Sequence, residues 1–219
     1  LIILLNIVLC QKVLIPMDNT QNDHLKSYGL VYYILEKQNN VEWLLNYKGG
    51  SFLFDYKNDF LKEAQLRGIT TLQVTAESLN NIYQEIDNNN MDIILLEKSP
   101  KIAVYSPQDK QPWDDAVTLA LSYAEVKYDV IFDNEVLDGK LTKYDWLHLH
   151  HEDFTGQYGK FYKSFRNASW YKKQESDFNQ IATSRGFNSV HELKKNIAAI
   201  IKDYILNGGF IFAMCSATD

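Results

Sequence analysis

Between residues 189 and 219 the hydrophobic pattern changes period, and the change divides the segment into a helix, a break and a strand. Val190, Leu193, Ile197, Ile200, Ile201, Tyr204 and Ile205 recur at helical spacing and predict one apolar stripe to lay on a sheet. Ser189 and Glu192 form an S-x-x-E capping box, which starts such a helix by satisfying two orphan backbone donors. Asn207-Gly208-Gly209 ends it, because glycine takes the left-handed position after a helix without a Cβ penalty. Residues 210–214 (FIFAM) are wholly apolar, which predicts a parallel strand covered on both faces. That strand delivers Cys215 to its carboxyl end, where open α/β sheets place their ligands.

The rest of the chain alternates in the same way. Strands are predicted over 12–17 (KVLIPM), 41–47 (VEWLLNY), 69–75 and 91–96 (MDIILL), with helices over 25–38, 59–67 and 76–87. Lys48-Gly49-Gly50 reads as a turn and Asn88-Asn89-Asn90 as a helix stop. Ser99-Pro100 marks a seam, after which the scheme restarts: strands over 101–105 (KIAVY), 128–132 (YDVIF) and 144–150 (YDWLHLH), with a helix over 114–124. The openings of the two halves rhyme as β-α-β units. Strands alternating with helices predict an α/β protein with a mainly parallel sheet and right-handed crossovers, divided into an N-terminal α/β portion over 11–99 and a second α/β domain over 100–219. Residues 151–186 break the rhythm with a stretch rich in aromatic and basic residues, FTGQYGKFYKSFRNASWYKKQESDF from Phe154 to Phe178. An excursion of that length after a strand is either a binding loop or a cover for a sheet edge.

Composition narrows the class. A chain of 219 residues with 46% hydrophobic and 23% charged content is ordinary for a globular protein with a real core. A net charge of −6 argues against nucleic acid or an anionic membrane as partner, since both call for a basic face. The segment 1–10 (LIILLNIVLC) is apolar but too short to span a bilayer, and reads as the h-region of a secretory signal peptide. Val8 and Cys10 would stand at the −3 and −1 positions of a cut before Gln11; acylation of Cys10 and a buried first strand are the alternatives. The signal reading predicts export to the periplasm or outside the cell, with no stable membrane insertion after cleavage. It also leaves Cys215 as the one thiol of the mature chain, unable to form an internal disulfide and so either buried or used.

Two clusters carry candidate chemistry. A nucleophile between a strand and a helix sits on a cramped elbow that needs small residues two before and two after it, and here Ala213 and Ala217 flank Cys215 in A-M-C-S-A. A helix beginning at Ser216 or Ala217 would aim its N-terminal dipole at the sulfur. The second cluster is His148, His150, His151, Glu152 and Asp153. On a strand over 144–150, His148 and His150 share a face and His151 opens the loop. These imidazoles suit a base for Cys215, because adjacent parallel strands bring their carboxyl ends together. They also suit zinc, but no fourth ligand is specified by spacing, and no metal is assigned. The loops Asp18-Asn19-Thr20-Gln21 and Ser106-Pro107-Gln108-Asp109 leave the carboxyl ends of strands, where they could touch a ligand, and also read as N-caps, the commoner use. There is no P-loop, G-x-G-x-x-G or C-x-x-C pair, so no cofactor is expected.

From residue 101 to the end, the order KIAVYSPQD, helix, YDVIF, LTKYDWLHLHH, helix, NGGFIFAMCSA resembles the class I glutamine amidotransferase-like fold, a flavodoxin-like three-layer sandwich. The resemblance implies that Cys215 is the nucleophile on the elbow. It implies that the loop from His150 to Gly156, including Asp153, Thr155 and Gly156, helps to form the oxyanion and ligand pocket together with Ser216. The family's G-x-C-x-G stands here as Ala213-Met214-Cys215-Ser216-Ala217, and its histidine and glutamate lie beyond the nucleophile, past residue 219. The whole chain, including QKVLIPMDNTQNDHLKSYG and VEWLLNYKGGSF, also resembles a family of exported Bacteroidota proteins often labelled asparagine synthetase B (glutamine-hydrolysing). The N-terminal cysteine nucleophile and the S-G-G-x-D-S pyrophosphate loop of enzymes properly so named are absent from this sequence.

Two functions are therefore expected to compete, with zinc-dependent hydrolysis through the histidine cluster, lost in His148→Ala, as a third reading. One is an exported cysteine-nucleophile amide hydrolase, with Cys215 attacking and His150, His151 or Glu152 handling protons. The other is a non-catalytic exported module of the same fold that binds a small-molecule or peptide-like ligand through residues 154–178.

Overall fold

The computed structural model describes residues 12–107, 116–150, 152, 154 and 159–218. The apolar segment at 1–10 lies outside the described residues. The chain divides into two compact units, Leu1–Ser99 with Ala120–Val126, and Pro100–Leu119 with Lys127–Asp219.

The first unit runs β1 (Lys12–Ile15), α1 (His24–Glu36), β2 (Val41–Leu45), β3 (Ser51–Asp55), α2 (Asn58–Leu66), β4 (Leu72–Val74), α3 (Ala76–Asp87) and β5 (Asp92–Leu96). Its sheet has the order β4-β1-β3-β2-β5. β3 pairs antiparallel with both β1 and β2, and β4 and β5 pair antiparallel with β1 and β2. The expectation of a mainly parallel sheet is wrong for this unit. The physical reason is the chain reversal after β2, a 3-10 turn at Tyr47–Gly49 too short for a parallel crossover. Asn46, Lys48, Gly49 and Gly50 all have positive φ there. A Cβ on Gly49 would lie 2.4 Å from the Met17 carbonyl oxygen, so the turn needs glycine at that point. The turn feeds β3, a strand absent from the sequence-based scheme, between β1 and β2, which gives the interleaved order of a split β-α-β unit.

Both faces of this antiparallel sheet are covered. Val13, Ile15, Phe52 and Phe54 pack with Leu30 and Ile34 of α1 and Phe60 and Ala64 of α2. Leu14, Leu44 and Leu53 pack with Ile82 and Ile86 of α3. Coverage of both faces makes a strand read as continuously apolar; strand direction does not.

The second unit runs β6 (Ile102–Tyr105), α4 (Ala116–Ala124, whose C-terminal half belongs to the first unit), β7 (Tyr128–Ile131), α5 (Asp133–Leu137), β8 (Trp146–Leu149), α6 (Gly159–Phe165), α7 (Ser169–Ser184), α8 (Val190–Leu206) and β9 (Phe210–Ala213). Its sheet is parallel throughout, in the order β7-β6-β8-β9. The protein is thus a mixed α/β chain with one antiparallel and one parallel sheet. The register aligns Tyr105 with Ile131 and with Leu149, and Leu149 with Ala213, so the strands end level.

α8 begins as its pattern predicts. The Ser189 hydroxyl accepts from the Glu192 N–H at 3.2 Å, while the Glu192 carboxylate turns to the Asn188 N–H at 3.0 Å rather than to Ser189. Leu193, Ile197, Ile201 and Tyr204 enter the core with Leu147 and Leu149, whereas Ile205 stays exposed. The two glycines after the helix do different work. Gly208 takes φ +94°, and a Cβ on Gly209 would meet the Tyr204 ring at 2.2 Å. β9 departs from expectation, because Phe210 and Phe212 are exposed and only Ile211 and Ala213 pack inward. The aromatic excursion is largely helical. Phe178 and Ala182 of α7 join the core against α8, so this part covers the sheet.

Candidate active site

The parallel strands of the second unit deliver four residues to one level, and the turns beyond them carry the polar groups. After β9 the chain enters a 3-10 turn over Cys215–Thr218, and Cys215 is exposed at its head. Cys215 has φ +58°, a left-handed conformation that costs a side-chain-bearing residue free energy and persists only when its surroundings impose it. The imposing contacts are visible in the backbone. The Met214 N–H donates to the Leu149 carbonyl at 3.0 Å, and the Ala217 N–H donates to the His150 carbonyl at 3.0 Å. These two bonds extend the β8–β9 ladder past the strand ends and hold the cysteine turn against the start of the loop after β8. Cys215–Thr218 forms a 3-10 turn where the described residues end, and no helix dipole is invoked for the cysteine.

The histidines separate. His148 is fully buried on β8, its ring stacked on Phe212 at 5.8 Å and 6.0 Å from the ring of His150. His150 is half-buried where β8 ends, on the segment bonded to the cysteine turn. Glu152 is buried. His151, Asp153, Thr155 and Gly156 lie outside the described residues, as do Gln108 and Asp109 and the side chain of Ser216. Among the described residues no group of three or more His, Cys, Asp and Glu is arranged to hold a metal ion. In the first unit, the loop after β1 serves structure. Asp23 caps α1 by accepting from the Lys26 N–H at 2.9 Å, and buried Gln21 donates to the Pro16 carbonyl at 2.8 Å.

A second cluster stands at the carboxyl ends of β6 and β7, and sequence reasoning passed over it. Lys194 of α8 is 1% exposed, and its ammonium donates to the Tyr105 hydroxyl at 2.9 Å and to the Asp133 Oδ1 at 3.0 Å. The Tyr105 hydroxyl also donates to Asp133 Oδ1. Rings of Phe132 and Phe178 approach the ammonium to 4.3 and 4.9 Å, and those of Tyr105 and Phe154 to 5.1 and 5.9 Å. Asp133 Oδ2 has no hydrogen-bond partner among the described residues. Burial pushes the Tyr105 phenol well above its ordinary value, and the charges of Asp133 and Glu152 push the same way. A signal for this cluster existed. Lys194 lies four residues after Val190 and three before Ile197, which places a cation on the apolar stripe of α8.

Compared with protein-family models, curated proteins and solved structures, the chain matches none. Of the two clusters, the lysine cluster is closed: its ammonium is spent on Tyr105 and Asp133 and walled by rings. The cysteine turn is open to solvent. Among the described residues no helix is long and apolar enough to cross a membrane.

Proposed function

We propose that the second unit is a flavodoxin-like, class I glutamine amidotransferase-like domain, and that the protein is an exported amide hydrolase with Cys215 as nucleophile. The strand order supports the fold reading: taken in chain order within the unit it is second, first, third, fourth, as in flavodoxin-like sheets. Export rests on the apolar sequence at 1–10. The observation that carries the nucleophile is the left-handed φ of an exposed cysteine at the carboxyl end of a parallel strand.

In this reading His150 takes the thiol proton, and the sulfur attacks the carbonyl carbon of a carboxamide. The Ser216 N–H on the turn donates to the oxyanion that forms. The C–N bond breaks, the nitrogen leaves as ammonia or amine with the proton from His150, and an acyl thioester remains. Water then attacks the thioester carbon, releasing the carboxylic acid and restoring the thiol. The Ala217 N–H, bonded to the His150 carbonyl, has a positioning role, since it ties the base-bearing segment to the nucleophile turn.

The test is ammonia release from a panel of primary carboxamides, alongside intact mass after exposure to a chloroacetamide. We expect one adduct on Cys215 in the folded protein, and a loss of at least about a thousandfold in turnover in Cys215→Ser. A folded protein that takes no adduct and releases no ammonia would be the binding module instead.

A further inference from the structure

The loop that leaves β8 begins with His150, and its described residues touch both clusters of the second unit. At its start the His150 carbonyl accepts from the Ala217 N–H, which fixes that end to the cysteine turn. Four residues on, the Phe154 ring stacks on the Tyr105 ring, with centroids 5.3 Å apart and planes inclined by 26°. The same ring stands 5.9 Å from the Lys194 ammonium and packs against the core. Between these points Glu152 is buried, and its charge acts on the Tyr105 phenol. Tyr105 is itself held, because its hydroxyl donates to Asp133 and accepts from Lys194. Those bonds tie together the end of β6, the start of α5 and the first half of α8. A ring fixed at its hydroxyl and packed on its face is a rigid seat for what stacks on it.

We infer that Phe154 is a positioning residue for the Cys215 chemistry: seated on Tyr105 of the lysine cluster, it fixes the loop after β8 so that His150 keeps its place beside the cysteine turn. The inference rests on the Cys215 reading above, and gives the buried Lys194–Tyr105–Asp133 cluster a role as the foundation of that site. One backbone hydrogen bond leaves the segment that carries His150 free to pivot about it. A second attachment removes that freedom, which is what a base needs if it is to meet its nucleophile in one geometry. The tether between the two attachments is short. Residues 150 to 154 span at most about 14 Å when fully extended, so a shift at Phe154 is passed on to His150 with little slack. The effect on rate is large for its size, since a misplacement of about 1 Å costs on the order of a hundredfold.

The experiment compares Phe154→Ala, Phe154→Leu and Phe154→Tyr with the wild type in the full chain, by two readouts. Phe154 is half-buried, so its truncation should leave the fold intact. On the carboxamide that the wild type turns over fastest, Phe154→Ala should lower kcat at least about tenfold while KM stays within about threefold. Phe154→Tyr keeps the ring and should recover most of that loss, whereas Phe154→Leu keeps the bulk without the flat face and should not. Amide hydrogen exchange followed by NMR supplies the readout that needs no turnover. The Ala217 N–H should be protected in the wild type and exchange at least about tenfold faster in Phe154→Ala, while the amides of Ile197 and Ile201 inside α8 keep their rates. An Ala217 rate that does not change, or that rises together with those of α8, overturns the inference. So does a kcat that Phe154→Ala leaves alone. If the wild type releases no ammonia, the nucleophile reading fails by itself, and the seating of the loop on Tyr105 stands or falls on the Ala217 rate.

Discussion

Each unit contains a lysine, a carboxylate and a tyrosine joined by hydrogen bonds, and the two trios are solved differently. In the first unit Lys12 reaches Glu42 Oε1 at 2.5 Å, and the Tyr83 hydroxyl donates to Glu42 Oε2 at 2.7 Å, so the two donors use separate oxygens. The side chains of Lys12 and Glu42 keep 20% and 18% of their exposure. In the second unit Lys194 and Tyr105 both donate to one oxygen of Asp133, with the ion pair 1% and 0% exposed. The surroundings match the difference. Burial opposes the charge on Lys12, yet the hydrogen bond and charge of Glu42 outweigh it and raise its pKa. Burial and then Glu42 likewise raise the Tyr83 phenol. Water can still compensate the first trio if a partner is lost. The second is surrounded by rings, so losing one member leaves a charge in hydrocarbon.

Lys194→Ala tests the buried trio most directly. It strands the Asp133 carboxylate and should cost about 3–5 kcal/mol in urea unfolding. The double variant Lys194→Met, Asp133→Leu should recover most of that loss, because the cost lies in the unpaired charge and not in a missing contact. If Lys194→Ala costs less than about 1 kcal/mol, the ammonium is not committed as described.

Next in size is a pH effect. The folded-state pKa of Tyr105 is raised above the unfolded value of about 10, so its contribution is complete below pH 10 and is lost as the pH rises beyond it. Stability should fall by about 1.4 kcal/mol per pH unit from this group in that window. Tyr105→Phe should flatten the alkaline limb of the unfolding profile by that amount; equal limbs in the two proteins would contradict the buried neutral phenol.

The smallest effect belongs to the first unit. Glu42→Ala should cost about 1 kcal/mol, since solvent screens the pair and replaces what is lost. A cost approaching that of Lys194→Ala would erase the distinction between the trios.

The legible parts of the fold were the helices α1 to α4 and α8 and the strands of the second sheet, whereas α5, α6 and α7 were not read. α3 over Ala76–Asp87 matches its predicted bounds, and α8 is announced by its stripe, its serine cap and its glycines. β3 was not legible, because Ser51–Asp55 directly follows a glycine turn that resembled a loop and not a reversal into another strand. Its pairing with β1 and β2 is settled by the left-handed residues around Lys48, which reverse the chain at once. On the site, the small residues around Cys215 pointed to an elbow, and the positive φ belongs to that turn. The Lys194 cluster went unseen because a lone lysine on an apolar stripe looks like an interruption. Only its arrival beside Tyr105 and Asp133, 89 and 61 residues away in sequence, explains it.

Taken alone, the order of residues determined the helices α1 to α4 and α8, where the chain changes unit-scale rhythm near Ser99-Pro100, and that a cysteine follows a short apolar strand, but not the helices α5, α6 and α7. These are local properties, set by periodicity, caps and turn chemistry within a few residues of each other. Tertiary structure alone decided the direction of the first sheet, the openness of one face of β9 and the burial of Lys194. Each depends on which distant segment covers a given face. An apolar run records that it is covered, and does not say by what.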